Sequence, residues 1–249
     1  CKSRNGVILG YKVTQVTILN CVSTRNIAGT YGAALSIKMV KQGLIIGSYF
    51  VKNRALYGGA VNVHNSAMFV INSTFVLNVA DDDGGALNIF ASATFVSIDN
   101  VYINNNAHGS GGGIKNEMSE YGTIYECLVY GNLATNAGGG ISIEDTVNIR
   151  LVYARVINNR ANMAGGVYIF TFNYVLSVMN IYQENLASSM GGALWMENGN
   201  VKLQPTVLLL YNSFHGNTAE NDATAMYIKF VDLLNIYRII VNLKKNNTI

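Results

Sequence analysis

The sequence predicts an all-β protein: a right-handed, single-stranded parallel β-helix (a solenoid) of about eight or nine coils of roughly 27 residues. Three observations carry this expectation. The tripeptide Asn-x-Ala begins at Asn26, Asn53, Asn78, Asn105, Asn132, Asn159, Asn185 and Asn217, so successive starts lie 27, 25, 27, 27, 27, 26 and 32 residues apart. A period in this range marks a stacked array, in which each unit buries its apolar face against its neighbours. Apolar and polar residues alternate before each Asn and again after each Gly pair, the period-two signature of strands with one buried face. The single proline, Pro205, falls in the longest coil, as expected where interior parallel strands cannot spare N–H donors.

Each coil is counted from its Asn. Seven residues earlier stand Leu19, Ile46, Ile71, Ile98, Tyr125, Val152, Val178 and Leu210, an unbroken apolar column expected to face inward. The column at minus five holds Cys21, Ser48, Ser73, Asn100, Cys127, Ala154, Asn180 and Asn212. At minus three stand Ser23, Phe50, Phe75, Tyr102, Val129, Val156, Tyr182 and Phe214. The Asn then marks a tight bend, since Asn tolerates left-handed backbone and hydrogen-bonds its neighbours; eight such amides at one level would form a ladder along the rod. Ala never varies two residues later, which implies a crowded interior corner. The Gly pair supplies positive φ or close backbone approach. The strand after it points Leu35/Ile37, Val61/Val63, Leu87/Ile89, Ile114/Asn116, Ile141/Ile143, Val167/Ile169, Leu194/Met196 and Met226/Ile228 inward. A third, less regular strand, as in 67–70, 93–96 and 174–178, runs into the next Asn-bearing strand. Leucine-rich repeats have a similar period but need L-x-x-L-x-L-x-x-N spacing and convex-side helices, which this pattern lacks.

Half the residues are hydrophobic and 12% are charged, below the ~25% of ordinary globular chains. A net charge of +3 without a basic block gives no support to a nucleic-acid partner. No run approaches ~18 apolar residues, so no transmembrane segment is expected. Residues 1–249 read as a single domain and as a segment of a longer repeat protein, because neither end shows a recognisable polar cap and Asn246-Asn247-Thr248 resembles a further turn. Cys21 and Cys127 share a column four coils apart, roughly 19 Å at ~4.8 Å per coil and beyond the ~7 Å reach of a disulfide. Both are expected to be free, or one paired outside this segment, and to act as buried small hydrophobes.

Several groups invite a chemical reading. Asp99 and Glu126 lie on adjacent coils, ~4.8 Å apart and near the ~5–5.5 Å of retaining glycosidase carboxyls, with Arg150 and Arg155 close by. The competing reading is two solvated carboxylates. Glu117 and Glu144 stack similarly, and Asp81-Asp82-Asp83 forms an acidic run; either could offer oxygens to Ca²⁺, yet the run lacks Asp-x-Asp-x-Asp-Gly spacing and suits a solvated turn. No metal and no cofactor is expected. His64, His108 and His215 have no ligand spacing, and Gly109 to Gly113 is a repeat turn rather than a phosphate loop. One outward column runs Ser36, Asn62, Asn88, Lys115, Ser142, Tyr168, Trp195 and Tyr227. Its last three members, Tyr168, Trp195 and Tyr227, are expected to form an exposed aromatic stripe, a platform for sugar or protein. Coverage by a loop or a neighbouring subunit is the alternative. Asn72-Ser73-Thr74 and Asn246-Asn247-Thr248 are glycosylation sequons that matter only in a chain secreted by a eukaryote.

Phe50-Val51-Lys52-Asn53 with Gly58-Gly59-Ala60-Val61, and Phe75-Val76-Leu77-Asn78 with Gly84-Gly85-Ala86-Leu87, resemble the repeats of the chlamydial polymorphic outer membrane proteins. Similar repeats occur in large surface proteins of protists. The later coils keep one half of the signature, as in Phe214-His215-Gly216-Asn217 and Gly191-Gly192-Ala193-Leu194. The resemblance implies a β-helical rod used in adhesion or display, extracellular or at a cell surface, and assigns no catalytic residue. The family's C-terminal membrane barrel has no counterpart in this sequence. The expected function is therefore a structural and adhesive rod whose partners are other proteins or surface glycans, with end-to-end or lateral self-association. Two alternatives stand beside it: a carbohydrate-active β-helix enzyme, and a structural subunit of a larger assembly.

Overall fold

In the computed structural model, which describes residues 2–3, 7–199, 205–221 and 223–242, the chain winds into a parallel β-solenoid of about eight turns. Among the described residues there is no helix, and hence none long and apolar enough to cross a membrane. Four sheets run the length of the stack, each of nine strands. The long sheet has five-residue strands (Gln15–Leu19 to Leu233–Tyr237) and the aromatic sheet three-residue strands (Val22–Thr24 to Ile240–Asn242). The corner sheet has two-residue strands (Lys2–Ser3 to Thr218–Ala219) and the glycine sheet four-residue strands (Ile8–Tyr11 to Met226–Lys229). Every pairing is parallel and joins neighbouring coils, so Phe50, Phe75, Tyr102, Val129 and Val156 stand Cα over Cα.

Four sheets rather than three strands per coil follow from single-residue corners. The residue six before each Asn has positive φ from Asn20 (50°) through Asp99 (52°) and Glu126 (52°) to Tyr211 (57°). One left-handed residue turns the chain sharply and resets the in-out alternation. The inward column is consequently Ile18, Ile45, Val70, Ser97, Ile124, Leu151, Ser177 and Leu209. The Leu19-to-Leu210 column, expected inside, is its outward neighbour and is partly exposed. A second correction concerns the Asn. The left-handed position is the residue before it (Arg25, Lys52, Leu77, Asn104, Gly131, Asn158, Glu184 and Gly216), whereas the Asn points into the core. Val and Ile are absent from the positive-φ positions among the described residues, and Thr171 (φ 54°) is the one β-branched residue there.

Inside, the Asn side chains form a continuous file. Asn26, Asn53, Asn78, Asn105, Asn132, Asn159 and Asn185 each donate Nδ2–H to Oδ1 of the next Asn at 2.9–3.0 Å. The same Oδ1 also accepts the preceding Asn's backbone N–H. From Asn53 onward the second Nδ2–H goes to a carbonyl of the coil before, such as Phe50 for Asn78. Both donors and both acceptor sites of each interior amide are thus used, which is what makes its burial tolerable. Beside the file, rings stack in the aromatic sheet: Phe50 on Phe75 at 4.8 Å, Phe75 on Tyr102 at 5.0 Å and Tyr182 on Phe214 at 4.8 Å.

The two positions of the Gly pair do different work. Gly84 takes φ 69°, while a Cβ on Gly85 would lie 2.1 Å from the Gly112 carbonyl oxygen of the next coil. Register survives the longest coil: Tyr174 pairs with Thr206, and the Pro205 carbonyl accepts the Asp232 and Leu233 amides. The further turn expected at Asn246-Asn247-Thr248, and Cys1, lie outside the described residues. Cys21 and Cys127 are free; Cys127 is buried, but Cys21 is exposed, contrary to the small-hydrophobe reading.

Candidate functional site

The outer face of the glycine sheet is a trough that runs along the rod. Its floor is the second residue of each strand from Leu35–Lys38 onward: Ser36, Asn62, Asn88, Lys115, Ser142, Tyr168, Trp195 and Tyr227. One wall is the fourth residue of each strand, among them His64, Phe90, Glu117, Glu144 and Phe170. The other is the loop before the Gly pair, which brings Tyr31, Tyr57, Asp82 and Asp83 over the floor. Floor residues point away from the core yet are almost all buried, because the walls rise on both sides.

The contents of the trough change along its length. Toward the C-terminal coils it is filled. Tyr168 stacks on Trp195 at 4.6 Å and Trp195 on Tyr227 at 5.7 Å, with Phe170, Met163 and Met190 packed against them. Trp195 is 5% exposed and Tyr168 9%. The stripe is therefore a small satellite core rather than the exposed platform expected, and its cover comes from its own chain. Burial pushes the Tyr168 phenol far above its usual range, with Glu144 and Glu197 adding to the rise.

Midway, Lys115 plugs the trough. It is 2% exposed, ion-paired to Glu144 Oε1 and 3.9 Å from Glu117 Oε2; Ser142 Oγ also donates to Glu144 at 2.9 Å. The stacked pair Glu117 and Glu144 thus flanks a buried ammonium.

Toward the N-terminal coils the trough is open. A groove of about 350 Å³ is lined by Tyr31, Tyr57, Asn62, His64, Asp82, Asp83, Asn88, Phe90 and Glu117, within the roughly 300–1,000 Å³ of ordinary ligand clefts. Tyr31 and Tyr57 stack at 5.9 Å on one side, and His64 and Phe90 meet at 5.3 Å on the other. Between them Asn88 Nδ2 donates to Asn62 Oδ1 at 2.8 Å. Burial raises the carboxyl pKa of Asp83 and of Glu117 above their ordinary values, against the pull of Lys115. Burial, with Lys38 adding, lowers that of His64.

The acidic run separates into three roles. Asp81 pairs with Arg54 at 2.7 Å, Asp82 lies by the Tyr57 hydroxyl and raises its pKa, and Asp83 Oδ1 accepts the Ser110 amide at 2.6 Å. Among the described residues no three His, Cys, Asp or Glu side chains converge as a metal site. Asp99 and Glu126 are exposed corner residues away from the groove.

Sequence reasoning found the floor column but not the groove. Tyr31 and Tyr57 sit in the loop of varying length, where columns do not align. Their one available signal was two aromatics on successive coils just before the Gly pair. No protein-family model, curated protein or solved structure matches the chain.

Proposed function

We propose that this chain is a non-enzymatic β-helical rod of a cell surface that holds a glycan in the open part of its trough. The observation that carries the reading is the groove itself: aromatic rings on both walls, an amide floor and acidic side chains along the lining. Sugars present apolar C–H faces and hydroxyl edges, which rings and polar groups so placed engage together. The rest of the molecule supports display, since a saturated amide file and four continuous sheets hold the groove on a stiff scaffold. The adhesive surface role follows the resemblance in the repeat motifs. A glycan array followed by calorimetric titration tests it: wild-type binding that is lost in Tyr31→Ala/Tyr57→Ala is expected, and an empty array sinks the reading. The enzymatic alternative draws on the raised carboxyls of Asp83 and Glu117 in the same groove. Reducing-end release from the bound glycan, abolished by E117Q, would favour that alternative.

A further inference from the structure

We propose that the glycan held in the groove carries a free, protonated amine: a hexosamine unit whose 2-amino group is not acetylated. This rests on the glycan reading and deepens it. The ionisable lining is predominantly acidic, and burial lowers the pKa of His64, its one basic side chain. Asp82, Asp83 and Glu117 face the groove, and no Lys or Arg is among its lining residues. Lys115, buried beneath, is ion-paired to Glu144 and 3.9 Å from Glu117, so a single ammonium is shared among more carboxylates than it can balance.

The carboxylates retain capacity. Asp83 accepts the Ser110 amide and Asp82 lies by the Tyr57 hydroxyl, whereas an ionised carboxylate has about four acceptor sites. An ammonium group brings three donors and one positive charge to those sites. Tyr31, Tyr57 and Phe90 line the same groove, and a ring face turned to the ammonium would add cation–π attraction.

Other sugars fit less well. A uronic acid or a sulfated sugar would meet three carboxylates and only the shared, buried charge of Lys115. A neutral or N-acetylated sugar would use the rings and the amides of Asn62 and Asn88, but would bury carboxylate charge against an uncharged partner, a loss without compensation.

The experiment is calorimetric titration of the full chain near neutral pH with three oligomers of equal length: glucosamine, N-acetylglucosamine and glucose. The glucosamine oligomer is expected to bind at least about tenfold tighter than the other two, the scale of one charge-assisted hydrogen bond. Its affinity should fall with added salt. D83N and E117Q should each remove most of that preference, weakening the glucosamine oligomer while the N-acetylated oligomer binds no more weakly than to wild type; E117Q decides alone if D83N disturbs the Ser110 turn. Equal or tighter binding of the acetylated or neutral oligomer overturns this inference and leaves the glycan reading standing. An oligolysine of the same charge that binds as tightly overturns it too, since the groove would then read charge alone. No binding by any oligomer overturns both.

Discussion

Asn78 Nδ2 donates to Asn105 Oδ1 at 3.0 Å, and neither residue exposes more than 1% of its surface. Asn105→Ala would leave the Asn78 backbone N–H and one Asn78 side-chain N–H unpaired and would remove one of the bonds to the Phe75 carbonyl. At about 1–3 kcal/mol for each of the two buried donors left unsatisfied, the expected loss is on the order of 2–6 kcal/mol. Urea denaturation measures it; a loss under about 1 kcal/mol would mean that the file can rearrange around a gap.

Gly85 and Gly131 should respond oppositely to substitution. A Cβ on Gly85 meets only backbone, at 2.1 Å from the Gly112 oxygen, so Gly85→Ala should prevent the two coils from closing. Gly131 has φ 65° in a column where Asn104 and Asn158 sit at 51° and 54°, and its nearest obstacle is the mobile end of the Asn104 side chain. Gly131→Asn should therefore cost less than about 1 kcal/mol. Thermal melts followed by circular dichroism compare the two, and equal damage would refute the distinction.

Trp195 is the only tryptophan, so its fluorescence reports on the satellite core directly. Blue-shifted emission that resists acrylamide in the native state is expected, with red-shifted, quenchable emission on unfolding. Trp195→Ala should lower stability by roughly 3–5 kcal/mol, the cost of emptying a buried aromatic site. Solvent-exposed native emission would restore the platform reading.

The pH dependence of Glu117 has a defined sign. Burial raises its pKa, Lys115 opposes the rise, and Glu144, Asp83 and Asp145 reinforce it. The native chain therefore holds this proton more tightly than the unfolded chain, so the group's favourable contribution is complete in acid and is lost as pH rises through the folded-state value. Glu117→Gln, neutral throughout, should match wild type below the ordinary carboxyl range and be at least as stable at neutral pH. Melting temperatures at both pH values decide the matter; a variant that is weaker only at neutral pH contradicts the sign.

The two described thiols should differ in reactivity. Cys127 is buried and hydrogen-bonded to Ser97 and to the Tyr125 carbonyl, and burial pushes its pKa up to about 11. Cys21 is exposed. In a Cys1→Ser background, Ellman's reagent should modify one thiol in the native chain and the second only on unfolding. Two fast thiols would show that the interior opens readily.

Much of the architecture was legible because one pattern repeats in columns: the Asn file, the Ala corner and the inward pairs after the Gly pair all follow from spacing. The corners were not legible, because left-handed residues there are as different as Asn20, Asp99, Tyr153 and Met179. Alternation was carried across them, which put Leu19 and its column inside. The trough was half legible. Its floor is a column, whereas its walls depend on how far Tyr31, Tyr57 and Phe90 reach, a property of side-chain length and loop path that no column displays.

The saturated amides carry one more implication. Every Asn in the file passes its hydrogen the same way, toward higher residue numbers, so the rod has a head and a tail although its windings look alike. A winding duplicated or excised whole would leave that relay continuous, whereas one spliced in with the reverse sense would set hydrogen against hydrogen. Lengthening or shortening such a protein is thus an operation on complete windings, performed in one direction only.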